Sequence, residues 1–153
     1  MVISRDDVMG LLVEACPSFA ESWAALEHEE VYRNDDGTRL HHLDAMELAN
    51  HLAALHRAGH DDEVRAAFAV VERLHLEGDA YVRELATIGY LEDVQGCFIT
   101  EPDELARLES MLGPESVRWW RGLLAFWSGR IPLVQALDEP ATESREGPPG
   151  RTT

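Results

Sequence analysis

Two pairs of glutamate and histidine on neighbouring predicted helices have the residue types and spacing of a metal site. Glu72 and His75 are three residues apart, and Glu47 and His51 lie four apart on the preceding helix, so each pair shares a helix face. A di-iron bundle site also needs a second Glu-x-x-His motif and two further glutamates, and the second motif is absent. A metal-dependent enzyme built on these four residues is therefore an alternative hypothesis. The favoured interpretation is histidines that are exposed or hydrogen-bonded, with no bound metal.

Other catalytic chemistry has even less support in the sequence. No Gly-x-Ser-x-Gly segment is present, no serine has a base beside it in a recognised pattern, and no glycine-rich loop could bind phosphates. Cys16 and Cys97 lack the spacing of metal ligands and are predicted to be free, mostly buried thiols. We therefore predict no catalytic residue and no cofactor, and a protein that is not an enzyme.

The charge of the chain is strongly acidic. Its 29 acidic residues outnumber 13 basic ones, all of them arginine, and the formal net charge is −16. Nucleic acids and anionic membranes are poor partners for such a chain, because both are bound through basic side chains. A basic protein is the complementary partner, since opposite fields accelerate encounter and reject wrong partners. The simpler alternative is that the charge only keeps the protein in solution.

Two groups of carboxylates are the predicted partner-binding residues. The first occupies a turn-rich stretch before the central helices and contains only one base, Arg33, whereas the second opens a later helix. Solvated helix ends and turns would look the same in a sequence. As a hypothesis, contact with the basic partner is assigned to Glu27, Glu29, Glu30, Asp35, Asp36, Asp61 and Asp62.

Three consecutive amphipathic helices between Leu40 and Phe98 are predicted to organise the fold. In each, apolar residues recur at the spacing of one helix face, and Met46 is expected to widen that face in the first helix. Short connections between the helices predict antiparallel neighbours. The connections are marked by two glycines as helix ends and two aspartates as N-caps, namely Gly59, Gly78, Asp61 and Asp79.

Further helices are predicted on both sides of these three. Ser4 is expected to cap the first helix, and Ser18 with Glu21 to form a capping box for the second. Later helices begin near Pro102 and at Pro114. The last carries three tryptophans, which close the core or, as an alternative, present an anchor for a partner or for self-association. The predicted fold class is all-α, a bundle of six or seven helices.

The domain organisation predicted from composition is simple. One helical domain covers residues 1–131, and a flexible acidic tail rich in Pro, Glu, Ser, Gly and Thr covers 132–153. No apolar run reaches the length of a membrane span, and the first residues lack the pattern of an export signal. A cytoplasmic location is expected. Nothing in the sequence indicates an oligomeric state.

Three segments of the chain carry a resemblance to a known kind of domain. They are LANHL at 48–52, ELATIGYLEDVQ at 84–95 and MLGPESVRWW at 111–120, and an acidic stretch precedes them. In this order they resemble a family of small, all-helical bacterial domains of unknown function. Such families frequently resemble immunity proteins, which neutralise a toxin. The resemblance implies a non-enzymatic protein that blocks a basic toxin or effector, and it implies no catalytic residues.

Overall fold

The computed structural model describes residues 2–128, so the predicted tail and the boundary at residue 131 lie outside the described residues. Within 2–128 every regular element is helical, as predicted, and only two isolated β-bridges occur. Seven helices are present when the continuous stretch 80–97 is counted once. The elements are α1 Arg5–Ala15, α2 Ala20–Leu26, α3 His41–Arg57, α4 Asp61–Glu77, α5 Ala80–Glu84, a π-helical segment Leu85–Leu91, α6 Glu92–Cys97, α7 Pro102–Glu109 and α8 Pro114–Trp127, with 3-10 turns at Pro17–Phe19 and Glu30–Tyr32.

The hydrophobic core lies between α3, α4 and the stretch 80–97, the three helices predicted to organise the chain. Their apolar faces are buried, and small residues such as Ala45 and Ala49 on α3 allow close approach of the neighbouring helix. Gly59 has a φ of 80°, the left-handed conformation that glycine adopts after a helix end. Gly59 ends α3, and α4 then packs against α3, as expected for neighbours joined by a short connection.

The third central helix contains a feature that the sequence did not predict. Leu85–Leu91 is π-helical, and nearly all of its side chains are buried. π-helical turns are rare, occur mostly as single turns inside α-helices and are frequent at functional sites. A Cβ on Gly89 would lie 3.3 Å from the Cβ of Ala45. The glycine therefore permits close contact between the widened segment and α3.

The start of the chain is attached to the end of α4. The Ile3 amide donates to the Glu77 carbonyl at 2.9 Å, and the Asp79 amide donates to the Ile3 carbonyl at 3.1 Å. Ser4 and Asp7 form a capping box that begins α1, which confirms the predicted cap. These contacts hold α1 against α4.

The tryptophans of α8 occupy three different environments. Trp120 is fully buried, so the helix closes the core as predicted, and its carbonyl accepts a hydrogen bond from Gln95 at 2.9 Å. Trp119 is partly buried and donates to Glu115 at 3.2 Å. Trp127 is 50% exposed. Of these three tryptophans, only Trp127 offers a large exposed apolar surface to another molecule.

Two predicted caps are placed differently in the structure. Ser18 and Glu21 do not form a capping box, because residues 17–19 form a 3-10 turn and the polar groups of Ser18 bind residues of α3 and α4. Asp61 is the first residue of α4 and not its N-cap. Its carboxylate pairs instead with His56 at the end of α3.

Gly78 and Met46 also differ from their predicted roles. Gly78 ends α4 with an extended backbone, φ −73°, and not in the left-handed conformation. A Cβ at this position would lie 2.4 Å from the Leu74 carbonyl oxygen and 2.6 Å from Val82 Cγ1, so close packing explains the glycine.

Met46, predicted to widen the buried face of α3, is 41% exposed. Asp79 accepts a hydrogen bond from the Val82 amide, as predicted for an N-cap.

Candidate functional site

The glutamate and histidine of α3 that were proposed as metal ligands have separate partners. The Tyr32 hydroxyl donates to Glu47 at 2.7 Å, which raises the pKa of Tyr32 to about 12. The other residue, His51, has its Nε2 2.7 Å from the Ser18 hydroxyl. Glu47 and His51 therefore each bind an earlier segment of the chain to α3.

The corresponding pair on α4 is directed at α8 and the π-helical segment. The Glu72 carboxylate accepts from the amides of Glu115 and Ser116 at 3.1 and 2.8 Å, which satisfies backbone groups at the start of α8. Both ring nitrogens of His75 lie 3.0 Å from hydroxyls, one of Ser116 and one of Thr87. The His75 imidazole thus joins three helices inside the core.

Burial lowers the pKa of His75 to about 4, so this histidine is neutral near pH 7. Among residues 2–128 no three histidine, cysteine or acidic side chains are grouped closely enough to hold a metal ion. Glu47, His51, Glu72 and His75 therefore do not form one cluster within the described residues. Hydrogen-bonded histidines, the favoured interpretation from the sequence, describe His51 and His75 in the structure.

The contact between Ser18 and His51 was missed by sequence reasoning, because 33 residues separate the two. A serine hydroxyl beside an imidazole is the first half of a nucleophile-and-base arrangement. A catalytic triad would also need a carboxylate on the other ring nitrogen, and within the described residues His51 has none. The Glu63 carboxylate accepts from the Ser18 amide at 2.9 Å. The arrangement fixes the 3-10 turn and does not complete a triad.

The predicted acidic cluster is held in place by two arginines. Arg33 and Arg39 both donate to the main-chain carbonyl of Glu27, at 2.9 and 3.1 Å, and this leaves the Glu27 carboxylate exposed. Asp36 accepts from the Thr38 hydroxyl and amide, which lowers the pKa of the carboxyl group. We call Glu27, Glu29, Glu30, Asp35 and Asp36 the acidic segment.

Four carboxylates of the acidic segment form no hydrogen bond and no salt bridge within residues 2–128. They are Glu27, Glu29, Glu30 and Asp35, and all four are exposed. Free carboxylates on a segment fixed by arginines can attract a basic partner without first breaking an internal ion pair. The partner-binding role of these residues stays a prediction.

Asp61 and Asp62 do not join the acidic segment. The acidic segment is bound to the start of α3 through Arg39 and Asp44, whereas Asp61 pairs with His56 near the end of that helix. Twelve residues of α-helix separate Asp44 from His56, a distance of about 18 Å. The two predicted groups of carboxylates are therefore separate surfaces, and the Asp61 carboxylate is already engaged.

His56 lies between two carboxylates and is the main polar link between α3, α4 and α7. Its ring nitrogens are 2.7 Å from Asp61 and 2.5 Å from Glu104, and its side chain is 6% exposed. Burial alone would lower the pKa of His56, but the hydrogen bonds to both carboxylates outweigh it, so the pKa is raised. The protonated imidazole can donate to both carboxylates at once.

We expect the contribution of His56 to the free energy of unfolding to decrease as pH rises. Because its folded pKa lies above the unfolded value of about 6.5, the contribution is complete below that pH and is lost as pH passes the folded pKa. This contribution is measured by urea unfolding of wild type and His56→Gln at about pH 5.5 and about pH 8.5. His60→Gln, at an exposed histidine outside this cluster, is the control. An equal cost of His56→Gln at both pH values would contradict the expectation.

A groove of about 540 Å³ lies where α3, α6 and the end of α8 meet. Three of the most exposed large apolar side chains line it: Met46 is 41% exposed, Ile99 51% and Trp127 50%. Such a cluster is unusual on the surface of a monomer and commonly marks an interaction site. We call this feature, with Glu92 and Asp93 on its wall, the hydrophobic groove.

The two carboxylates of the hydrophobic groove lack a cationic partner within the described residues. Burial raises the pKa of Glu92, and burial together with the neighbouring Glu92 raises the pKa of Asp93 to about 6. Removing a carboxylate partly from water without a compensating cation costs free energy of folding. A lysine or arginine placed in the groove would remove that cost.

A family model for a domain of unknown function, DUF7674, matches residues 9–128, more than half of the chain. The chain belongs to the DUF7674 family. This confirms the resemblance to a family of unknown function, while the bacterial character of the family and its likeness to immunity proteins stay predictions. No curated protein and no solved structure matches the chain significantly.

The DUF7674 domain contains both surfaces described above. Its match begins within α1 and ends just after α8, so it includes the acidic segment and the hydrophobic groove. Both cysteines of the DUF7674 domain are free, Cys16 buried and Cys97 partly buried. None of the helices described for residues 2–128 has the length and apolarity that a membrane span requires.

Proposed function

We propose that this protein is a non-enzymatic binding module for a basic protein. The observation that carries the proposal is the hydrophobic groove, in which exposed apolar side chains adjoin two carboxylates without a cation. Tryptophan is enriched among the residues that dominate binding energy, and Trp127 is the exposed tryptophan at this groove. The complementary segment carries an apolar side chain next to a lysine or arginine.

Long-range electrostatics support the same class of partner. A net charge of −16 accelerates encounter with a basic protein and disfavours acidic ones. The free carboxylates of the acidic segment extend this attraction beyond the groove. Within the class of binding modules, we propose an immunity-type protein that neutralises a basic toxin or effector, by analogy with the families that such small helical domains resemble.

A second copy of the same chain is a poorer occupant of the groove. Self-association through the tryptophan helix was an alternative from the sequence, and the exposed Trp127 would be its anchor, whereas Trp120 is buried. Two chains of charge −16 repel each other, which disfavours a second copy in the groove. Measuring the molecular mass in solution at low and high salt shows whether a second copy of the chain binds in the groove.

The test is affinity for a basic protein, beginning with any product of a neighbouring reading frame. We expect Trp127→Ala to weaken binding by at least about tenfold, as for a central interface aromatic, and Asp93→Asn to weaken it as well. Leu76→Ala, at a residue 59% exposed outside the groove, is the matched control. Affinity should fall with added salt. It should also fall below about pH 6, where Asp93 becomes protonated.

Two outcomes would contradict the proposal. One is that the purified full-length chain binds no basic protein under conditions where it is folded. The other is that Trp127→Ala and Asp93→Asn bind a confirmed basic partner as tightly as wild type does. If charge reversal at Glu29, Glu30 and Asp35 then weakens binding, the acidic segment alone is the binding surface.

A further inference from the structure

A second cavity, of about 710 Å³, brings several basic side chains together in this acidic protein. Four stretches that are distant in the sequence form it: the start of α1, the loop before α3, the first turn of α3, and Tyr81 on α5. Three of the 13 arginines line it, together with two histidines. We call the residues Arg5, Arg33, Arg39, His41 and His42 the arginine cleft.

The guanidinium groups of the cleft are held in place by the protein, and two of them keep an unneutralised charge. Arg5 stacks on the ring of Tyr81, 3.9 Å from its centroid, and has no carboxylate partner within residues 2–128. Arg33 donates to the carbonyls of Glu27 and Gly37 at 2.9 and 3.0 Å. Carbonyl acceptors fix the Arg33 side chain without cancelling its charge. Both arginines are therefore preorganised for an anion.

The remaining charged groups of the cleft nearly balance one another. Arg39 is paired with Asp44 and contributes little net charge. Two carboxylates also line the cleft, Asp6 and Asp36, and the latter is already bound by Thr38. Arg5 and Arg33 then stand against Asp6 and Asp36, so the cleft is close to neutral, unlike the chain as a whole with its net charge of −16.

Backbone groups and apolar residues complete the cleft. The amides of His41 and His42, at the start of the 17-residue helix α3, have no hydrogen-bond acceptor within the described residues, and no side chain caps this end. Free amides at a helix start add to the attraction that the arginines exert on an anion. Leu40 and Leu43 give the cavity an apolar wall. Its volume falls within the range of small-molecule sites, about 300–1,000 Å³.

We propose that the arginine cleft binds a small organic phosphate. The phosphate group is bound by Arg5, Arg33 and the amides at the start of α3, and the organic part lies against Leu40 and Leu43. Because exposed charges more than about 8 Å away are screened at physiological salt, the acidic remainder of the surface does not exclude such a ligand. The proposal is independent of the basic-partner function, since it needs no second protein.

The experiment is a titration of the full-length protein with inorganic phosphate and with AMP, followed by calorimetry and by amide NMR shifts. We expect both probes to bind at millimolar or lower concentration and to shift the amides of His41 and His42, with AMP binding more tightly. Arg5→Gln should weaken binding about tenfold, as expected for the loss of one charge-assisted hydrogen bond. Arg33→Gln should weaken it similarly, and Arg5→Lys should weaken it less.

The matched control is Arg65→Gln, which removes the same charge from an exposed position on α4 outside the cleft. It should bind both probes as wild type does. The proposal is overturned if neither probe binds at millimolar concentration. It is also overturned if Arg5→Gln and Arg33→Gln, both shown to be folded by circular dichroism, bind no more weakly than Arg65→Gln. Equal affinity for phosphate and AMP would exclude a role for the apolar wall.

Discussion

Replacing Arg39 by methionine is expected to lower the free energy of unfolding by about 3–5 kcal/mol. The reason is Asp44 on α3, whose side chain is 1% exposed and whose carboxylate accepts two hydrogen bonds from the guanidinium, at 3.1 and 2.5 Å. Within the described residues this carboxylate has no other partner. Without Arg39 a buried charge would remain uncompensated, which costs far more than the loss of an exposed ion pair.

Urea unfolding at constant salt measures this cost, and two further variants identify its origin. Arg39→Met combined with Asp44→Leu should recover most of the stability, because the unpaired charge is then removed as well. Arg33→Met is the control, since Arg33 donates only to carbonyls of the same segment, and it should cost about 1 kcal/mol. If Arg39→Met costs no more than Arg33→Met, the buried pair is not a main source of stability.

The same pair connects stability to the two proposed binding surfaces. Arg39 also stacks on Trp23, 4.7 Å from its ring centroid, and donates to the Glu27 carbonyl. The acidic segment on one side and the arginine cleft on the other are therefore fixed to α3 through one guanidinium. A variant that loses Arg39 should be judged for binding only after its fold has been verified.

Helical periodicity predicted most of the fold because it records which faces are buried. The faces of α3, α4 and the stretch 80–97, the capping box of Ser4 and the helix end at Gly59 all follow from local chemistry. The π-helical segment could not be predicted in this way. Leu85–Leu91 is buried on nearly every side. Its sequence therefore has no alternation of apolar and polar residues from which the number of residues per turn could be inferred.

Contacts between distant residues account for the other differences. The Glu72 carboxylate binds the start of α8 across more than 40 residues, and a Cβ on Gly113 would lie 2.4 Å from Glu72 Cδ. Neither contact is indicated by the residues next to Glu72 or Gly113 in the sequence. Similarly, the sequence shows that Asp61 is acidic, but it does not show that the Asp61 carboxylate pairs with His56. The type of residue is visible in a sequence, whereas its partner is a property of the packed structure.

The hydrophobic groove shows the same limit for a candidate site. Periodicity assigned Met46 and Trp127 to buried faces, since a helix pattern does not indicate where the neighbouring helices end. In the structure both side chains lie beyond the edge of the core, beside the unpaired carboxylates of α6. An apolar residue that periodicity places in the core but packing leaves exposed is thus a better indication of an interface than composition alone.

Trp120→Ala and Trp127→Ala should have opposite effects on stability and binding. Trp120 is fully buried, and its truncation would leave a large cavity, so we expect a loss of about 3–5 kcal/mol in the free energy of unfolding. Trp127 is 50% exposed, and its truncation should change stability by no more than about 0.5 kcal/mol. Chemical unfolding followed by circular dichroism compares the two variants without relying on tryptophan fluorescence.

The comparison decides whether Trp127 belongs to the core or to a binding surface. If Trp127→Ala unfolds as easily as Trp120→Ala, the tryptophan supports the fold, and the hydrophobic groove loses the residue on which the proposed function depends. If Trp127→Ala keeps wild-type stability, the protein exposes a large aromatic side chain that folding does not require. Such a residue increases the risk of aggregation, and contact with a partner is the physical reason that accounts for it.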